Sequence, residues 1–104
     1  MEKEKEIILV VEDEDIARKN LEHILTKAGY EVISVNNGSK AIDLLHSKHF
    51  DLVITDLKME KVDGMQVLNK TKALQPYTEV IIITGYATIE TSVQAMHDGA
   101  YYYI

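Results

Sequence analysis

The 104 residues of the chain suit one compact domain and leave no room for a second. Apolar residues make up 46% of it, enough for a packed core, which excludes an intrinsically disordered chain. The net charge of −6 argues against a nucleic-acid-binding surface, and the lack of cysteine excludes a disulfide framework and a thiolate metal site.

The chain opens on MEKEKE, which is mixed charge rather than a basic segment followed by an apolar one, so no secretory signal is visible. The first element is the apolar run EIILVV ending at Val11, whose β-branched content predicts a strand. It runs straight into four acids, Glu12 to Asp15. Their mutual repulsion opposes folding unless something positive sits among them. Ala17, Leu21, Ile24, Leu25 and Ala28 follow at i, i+4, i+7, i+8 and i+11, a helical stripe stopped by Gly29, with Asp15 as its expected N-cap. EVISV at 31–35 is the second strand. Ala41, Leu44 and Leu45 continue a helix that starts at Gly38-Ser39 and is closed by His46 and His49. DLVIT at 51–55 is the third strand. Val67, Leu68, Thr71 and Leu74 make a weaker stripe closed by Pro76. EVIIIT at 79–84 is the fourth strand, ending at Thr84. Ile89, Val93, Met96 and Ala100 repeat the helical spacing, stopped by Gly99, and AYYYI at 100–104 is the fifth strand. No apolar run approaches the ~20 residues that span a bilayer.

Alternation βαβαβαβαβ predicts an α/β fold with a parallel sheet and right-handed crossovers. The first, third and fourth runs are nearly unbroken apolar segments, as for strands covered on both faces. In such sheets ligands bind beyond the carboxyl ends of the strands. That edge is where Glu12, Asp13, Asp56 and Thr84 fall. Acids in these loops also serve as helix caps, but a set converging on one edge reads as a site. Magnesium takes oxygen ligands and is commonly held by one or two carboxylates with waters and phosphate oxygens. Asp56 then has the chemistry of a nucleophile that accepts a phosphoryl group, with magnesium and the Thr84 hydroxyl stabilising the phosphoryl oxygens.

ILVVEDED, DLVITDLKMEKVDGMQVL, VIIITGYATIETSVQAM and DGAYYYI together resemble the receiver domain of two-component response regulators, in the right order over essentially the whole chain. The resemblance implies a flavodoxin-like, doubly wound five-stranded parallel sheet in the order 2-1-3-4-5. It implies a sensor histidine kinase as partner, donating a phosphoryl group to Asp56 in a Mg2+-dependent step catalysed largely by the receiver itself. The chain is then a self-phosphorylating acceptor rather than a turnover enzyme. Carried over by position, Asp13 and Asp56 are side-chain metal ligands, Glu12 acts partly through water, and Lys58 contributes its backbone carbonyl. Thr84 corresponds to the hydroxyl that moves toward the phosphoryl group, and Tyr103 to the aromatic switch that follows it. TGYATIETSVQAM further resembles the subgroup fused to ATPase and DNA-binding domains in enhancer-binding transcription activators. That implies an output domain on the parent polypeptide, a cytoplasmic setting, and no direct nucleic-acid or membrane contact by this domain.

Two departures from the family pattern stand out. Glu60 replaces the usual proline after the phosphorylated aspartate, removing a φ restraint and adding charge. The family also continues past Ile104 with a lysine two residues on and a fifth helix. The expectation is therefore a single, C-terminally incomplete receiver domain over 1–104, lacking the last helix, with Lys58 as a candidate substitute for the lysine. Three or four apolar side chains left uncovered beside the first helix forfeit ~1.5–3 kcal/mol each. That points to a shortened chain or to burial of the sheet face in a homodimer.

Among the remaining residues, His23, His46, His49 and His97 lack the spacing of a metal cluster, and Met65 and Met96 read as core fillers. Gly64 and Gly85 read as turn or close-approach positions, and Lys58 and Tyr86 as residues that tune access of hydrolytic water. Two competing functions are a receiver-like interaction module that takes no phosphate, and a haloacid-dehalogenase-like phosphatase. In the latter the D-x-D of Asp13 and Asp15 supplies nucleophile and acid/base with Thr84 as phosphate ligand. It leaves Asp56 idle.

Overall fold

The computed structural model describes residues 5–59, 61–84 and 89–104. The elements in chain order are β1 (Ile7–Val11), α1 (Asp15–Lys27), β2 (Glu31–Val35), α2 (Gly38–Ser47), β3 (Leu52–Thr55), α3 (Gly64–Leu74), β4 (Glu79–Ile82), α4 (Ile89–His97) and β5 (Tyr102–Tyr103). The strands form one parallel sheet in the order β2-β1-β3-β4-β5. This is the doubly wound arrangement expected from the alternation and the resemblance.

Period-two alternation sorts β1 between two cores. Leu9 and Val11 join Val53, Val80, Ile82, Ala41, Leu45, Phe50, Val67, Leu68 and Ala95 on the side of α2, α3 and α4. Ile8 and Val10 join Ile54 on the other side, where Leu21 and Leu25 of α1 pack. Burial of each large aliphatic side chain contributes about 1.5–3 kcal/mol, so the first side carries most of the hydrophobic stabilisation. α1 has no buried residue, and its Ile16 and Ile24 are 73% and 61% exposed. Two apolar side chains of α1 therefore stay exposed to solvent.

Local chemistry sets the helix ends. Asp63 and Gln66 form a reciprocal capping box at the start of α3. The Asn37 side chain accepts from the Lys40 N–H at the start of α2. Gly29 and Gly99 lie at φ 105° and 104°, the left-handed stops that the stripes required.

The amino-terminal edge of the sheet is knotted by side chains. The Gln75 carboxamide donates to the carbonyls of Leu45 (2.9 Å) and Lys48 (2.7 Å) and accepts from the Phe50 N–H (3.0 Å). The Thr78 hydroxyl lies 2.6 Å from the Phe50 carbonyl oxygen and 2.9 Å from Oε1 of Gln75. Lys72 donates to the Thr78 carbonyl and to Glu79.

Several expectations need correction. Glu14, not Asp15, occupies the cap position of α1, and it makes no side-chain cap bond. Asp15 is the first helical residue because its carboxylate reaches forward to Arg18 instead. α2 ends at Ser47, so His49 lies beyond it, 3.5 Å from Asp51. β4 ends at Ile82, two residues before Thr84, and β5 pairs over two residues only. The apolar stripe of α4 is out of phase: Val93 and Met96 are 63% and 49% exposed, and the residue pressed into the core is Ala95. A methyl group lets the helix approach the sheet closely, so the small residue faces inward and the larger ones outward. Met65, by contrast, does pack against the core. Glu60, Gly85, Tyr86 and the side chain of Ile89 lie outside the described residues.

Candidate functional site

The register aligns the carboxyl ends of the strands. Val11 pairs with both Val35 and Thr55, and Thr55 with Ile82. The backbone ladder then continues one step past them: Glu12 N–H donates to Val35, Asp56 N–H to Val11 and Ile83 N–H to Thr55. Glu12 and Asp56 therefore leave the sheet side by side. Carboxylate oxygens of Glu12, Asp13 and Asp56 all lie within 4.8 Å of one another, with Glu12 and Asp56 half-buried and Asp13 exposed.

Asp56 is oriented by its own turn. Its Oδ1 accepts from the Leu57 N–H at 2.7 Å, and its carbonyl accepts from the Thr55 hydroxyl at 2.9 Å. The Gly64 N–H closes the loop onto the Leu57 carbonyl at 2.8 Å. A side chain at Gly64 would collide with the Asp56 carbonyl oxygen and sit 2.8 Å from the Leu57 Cα, so the close approach expected of this glycine is real.

Glu12 is held on three sides. Its N–H donates to Val35, its Oε2 accepts from the Glu14 N–H at 2.9 Å, and its carbonyl accepts from Nη1 of Arg18 at 3.1 Å. Burial raises its pKa to about 7, opposed by the Glu14 N–H and reinforced by the hydrogen bond with Asp13 and the charges of Asp56 and Asp13. Three converging carboxylates whose crowding favours protonation of one are a donor set suited to a hard divalent cation, which relieves the same repulsion. Asp15, the fourth acid of the run, stands apart. Its carboxylate binds Nη2 of Arg18 at 2.7 Å, and that guanidinium holds it below the usual carboxylate range.

Thr84 is half-buried past β4, its N–H donating to the Ile104 carbonyl at 3.0 Å. Lys58 is exposed and lines an open cleft with Leu57, Met59, Asp63, Met65 and Thr91. Tyr103 is half-buried against the main core, and its phenol oxygen lies 2.6 Å from the Thr91 hydroxyl on α4. Arg18 and Thr91 are the contacts that sequence reading missed. Arg18 had a signal, its i+3 spacing from Asp15 on a helix. Thr91 had none, since its partner lies across the packing of α4 on β5.

Residues 8–104 match the family model of the response regulator receiver domain. Over 97 residues the chain is 38% identical to the transcriptional regulatory protein ZraR of Escherichia coli K12, a match covering 93% of this chain and 22% of ZraR. The chain thus spans about a fifth of the length of the curated relatives it matches. A response regulator protein from Burkholderia pseudomallei, solved with a phosphorylated aspartic acid, a calcium ion and citrate, superposes with TM-score 0.89 at 31% identity, over 95% of this chain and 58% of that one. The response regulator TrrA of Thermotoga maritima, in complex with Mg2+-BeF, superposes with TM-score 0.85 at 30% identity, over 95% of this chain and 84% of that one. With a match across nearly its full length and the sheet order to go with it, this chain belongs to the response regulator receiver domain family.

Proposed function

We propose that the chain is a phosphoryl-accepting switch that takes a phosphoryl group on Asp56 from the phosphohistidine of a sensor histidine kinase. The observation that carries this reading is the convergence of Glu12, Asp13 and Asp56 around a carboxylate already oriented by the Leu57 N–H. Asp13 and Asp56 would hold Mg2+ through their side chains, Glu12 partly through water, and Lys58 through its backbone carbonyl. Bound there, Mg2+ supplies positive charge for the phosphoryl oxygens as transfer proceeds. An Asp56 oxygen attacks phosphorus in line. A P–O bond forms, the P–N bond breaks, and the histidine nitrogen leaves with its electron pair. The Thr84 hydroxyl donates a hydrogen bond to the transferred group, and Tyr103 responds through its packing between β5 and α4. The product is an acyl phosphate on the protein itself, so the domain is an acceptor and not a turnover enzyme.

The similarity to ZraR, a transcriptional regulatory protein, supports an output domain on the parent polypeptide that acts on transcription. A kinase that donates its phosphoryl group in the cytoplasm would put this domain there as well. Among the described residues no helix is long and apolar enough to cross a membrane.

The Asp15–Arg18 pair argues against the phosphatase reading. A general acid must hold its proton near neutrality, and the guanidinium stabilises the ionised form of Asp15.

Intact mass after incubation with Mg2+ and acetyl phosphate tests the proposal. Wild type should gain one phosphoryl group and Asp56→Asn should gain none. A folded wild type that binds Mg2+ yet gains no mass would leave the interaction-module reading in its place.

A further inference from the structure

We infer that Arg18 is a positioning residue of the acidic site: its forked guanidinium fixes the turn from β1 to α1 so that Glu12 and Asp13 meet Asp56 at the spacing a small divalent cation needs. The inference rests on the metal reading above.

One guanidinium bridges both ends of the turn. Nη1 donates to the main-chain carbonyl of Glu12 at 3.1 Å, and Nη2 donates to Oδ1 of Asp15 at 2.7 Å. The Arg18 side chain is only 15% exposed, so the fork is not a wandering surface group. The peptide on the other side of Glu12 is fixed to Val35. Asp13 is carried between these anchored points, and the path of the turn decides where its carboxylate sits.

Charge and geometry predict opposite signs for the loss of this residue, which makes the idea testable. A cation beside three carboxylates repels an incoming cation, so by charge alone its removal should tighten Mg2+ binding. Positioning predicts the reverse. Lysine separates the two effects, since it keeps the charge but is a point donor that cannot span two acceptors in one plane.

Mg2+ would be titrated into wild type, Arg18→Lys and Arg18→Met by calorimetry, with amide hydrogen exchange at Asp13 and Glu14 followed in metal-free samples. The expected result is about tenfold weaker Mg2+ binding in both variants, the size of effect seen when a partner orienting a metal ligand is lost. Faster exchange in the turn should accompany it without Mg2+, while the sheet amides stay as protected as in wild type. Arg18→Lys binding Mg2+ as wild type does, or Arg18→Met binding it more tightly, overturns the inference and leaves the metal site standing. Wild type that fails to bind Mg2+ overturns both. Should Arg18→Met unfold, Arg18→Lys decides by the same criteria.

Discussion

Glu12 is half-buried in an acidic turn, and burial first, then the neighbouring Asp13 and Asp56, disfavour its charge. Its carboxyl has a pKa near 7 in the folded protein against an ordinary 4.5, so the folded state keeps a proton that the unfolded chain gives up. The contribution is fully present below about pH 4.5 and is lost as pH rises through about 7. Metal-free protein should therefore melt at progressively lower temperature from pH 5 to 7.5 on this account, and Glu12→Gln should flatten that trend. Saturating Mg2+ should do the same, because a cation replaces the proton as the relief of repulsion. A melting temperature that rises over this window equally in wild type and Glu12→Gln would defeat the assignment. The sequence posed the problem of the four acids clearly, but only half its answer was legible. Two of them, Glu12 and Asp13, do converge, and their third partner is Asp56 from the end of β3. The fourth, Asp15, is answered by Arg18 from within the same helix, a pairing that spacing allowed but did not single out from other contacts along an exposed face.

At the scale of elements, the contact between α4 and β5 runs through Tyr103 and Thr91. Thr91→Val keeps the shape of the side chain and removes the hydroxyl. It should cost about 1 kcal/mol of stability in urea unfolding. It should also loosen the Tyr103 ring in its aromatic NMR signals, and more so after acetyl phosphate treatment if this tyrosine answers the state of Asp56. Unchanged ring signals would remove Thr91 from any switching role. The strand order came only with the resemblance to the receiver family, whereas the strands and the four helices were readable because parallel strands covered on both faces demand long apolar runs separated by helical periods. The phase of α4 was not. Periodicity locates apolar residues on a helix, whereas burial follows whichever face can approach the sheet, and here Ala95 approaches closer than Val93 or Met96. Likewise the capping role of Asp63 and Gln66 is local enough to be read afterwards in the D-x-x-Q spacing, while the Gly64 contact with Asp56 depends on the loop doubling back.

For the whole molecule, the sheet is unequally covered. α1 packs against one side without burying a single residue fully, and Ile16 and Ile24 point their apolar surface outward. Apolar exposure of this kind marks association, so sedimentation should show a concentration-dependent shift toward dimer, reduced by Ile24→Lys. A single monomer boundary over a wide concentration range would refute burial of this surface against a second copy. The two edges of the sheet also differ, and the Gln75 knot makes the difference mechanical. At that edge, moving one strand relative to its neighbour breaks several part-buried hydrogen bonds and the buried Thr78–Phe50 bond together, each costing about 0.5–1.5 kcal/mol net and more where a polar group is stranded. Among the described residues, the opposite edge carries ladder steps at Glu12, Asp56, Ile83 and Thr84, and its side-chain bonds lie within the turns around Glu12 and Asp56 rather than across several strands. If Asp56 takes a phosphoryl group as proposed, the anchored foot resists sliding of the strands, and the rearrangement is expected sideways, across the strand tips toward α4 and Tyr103.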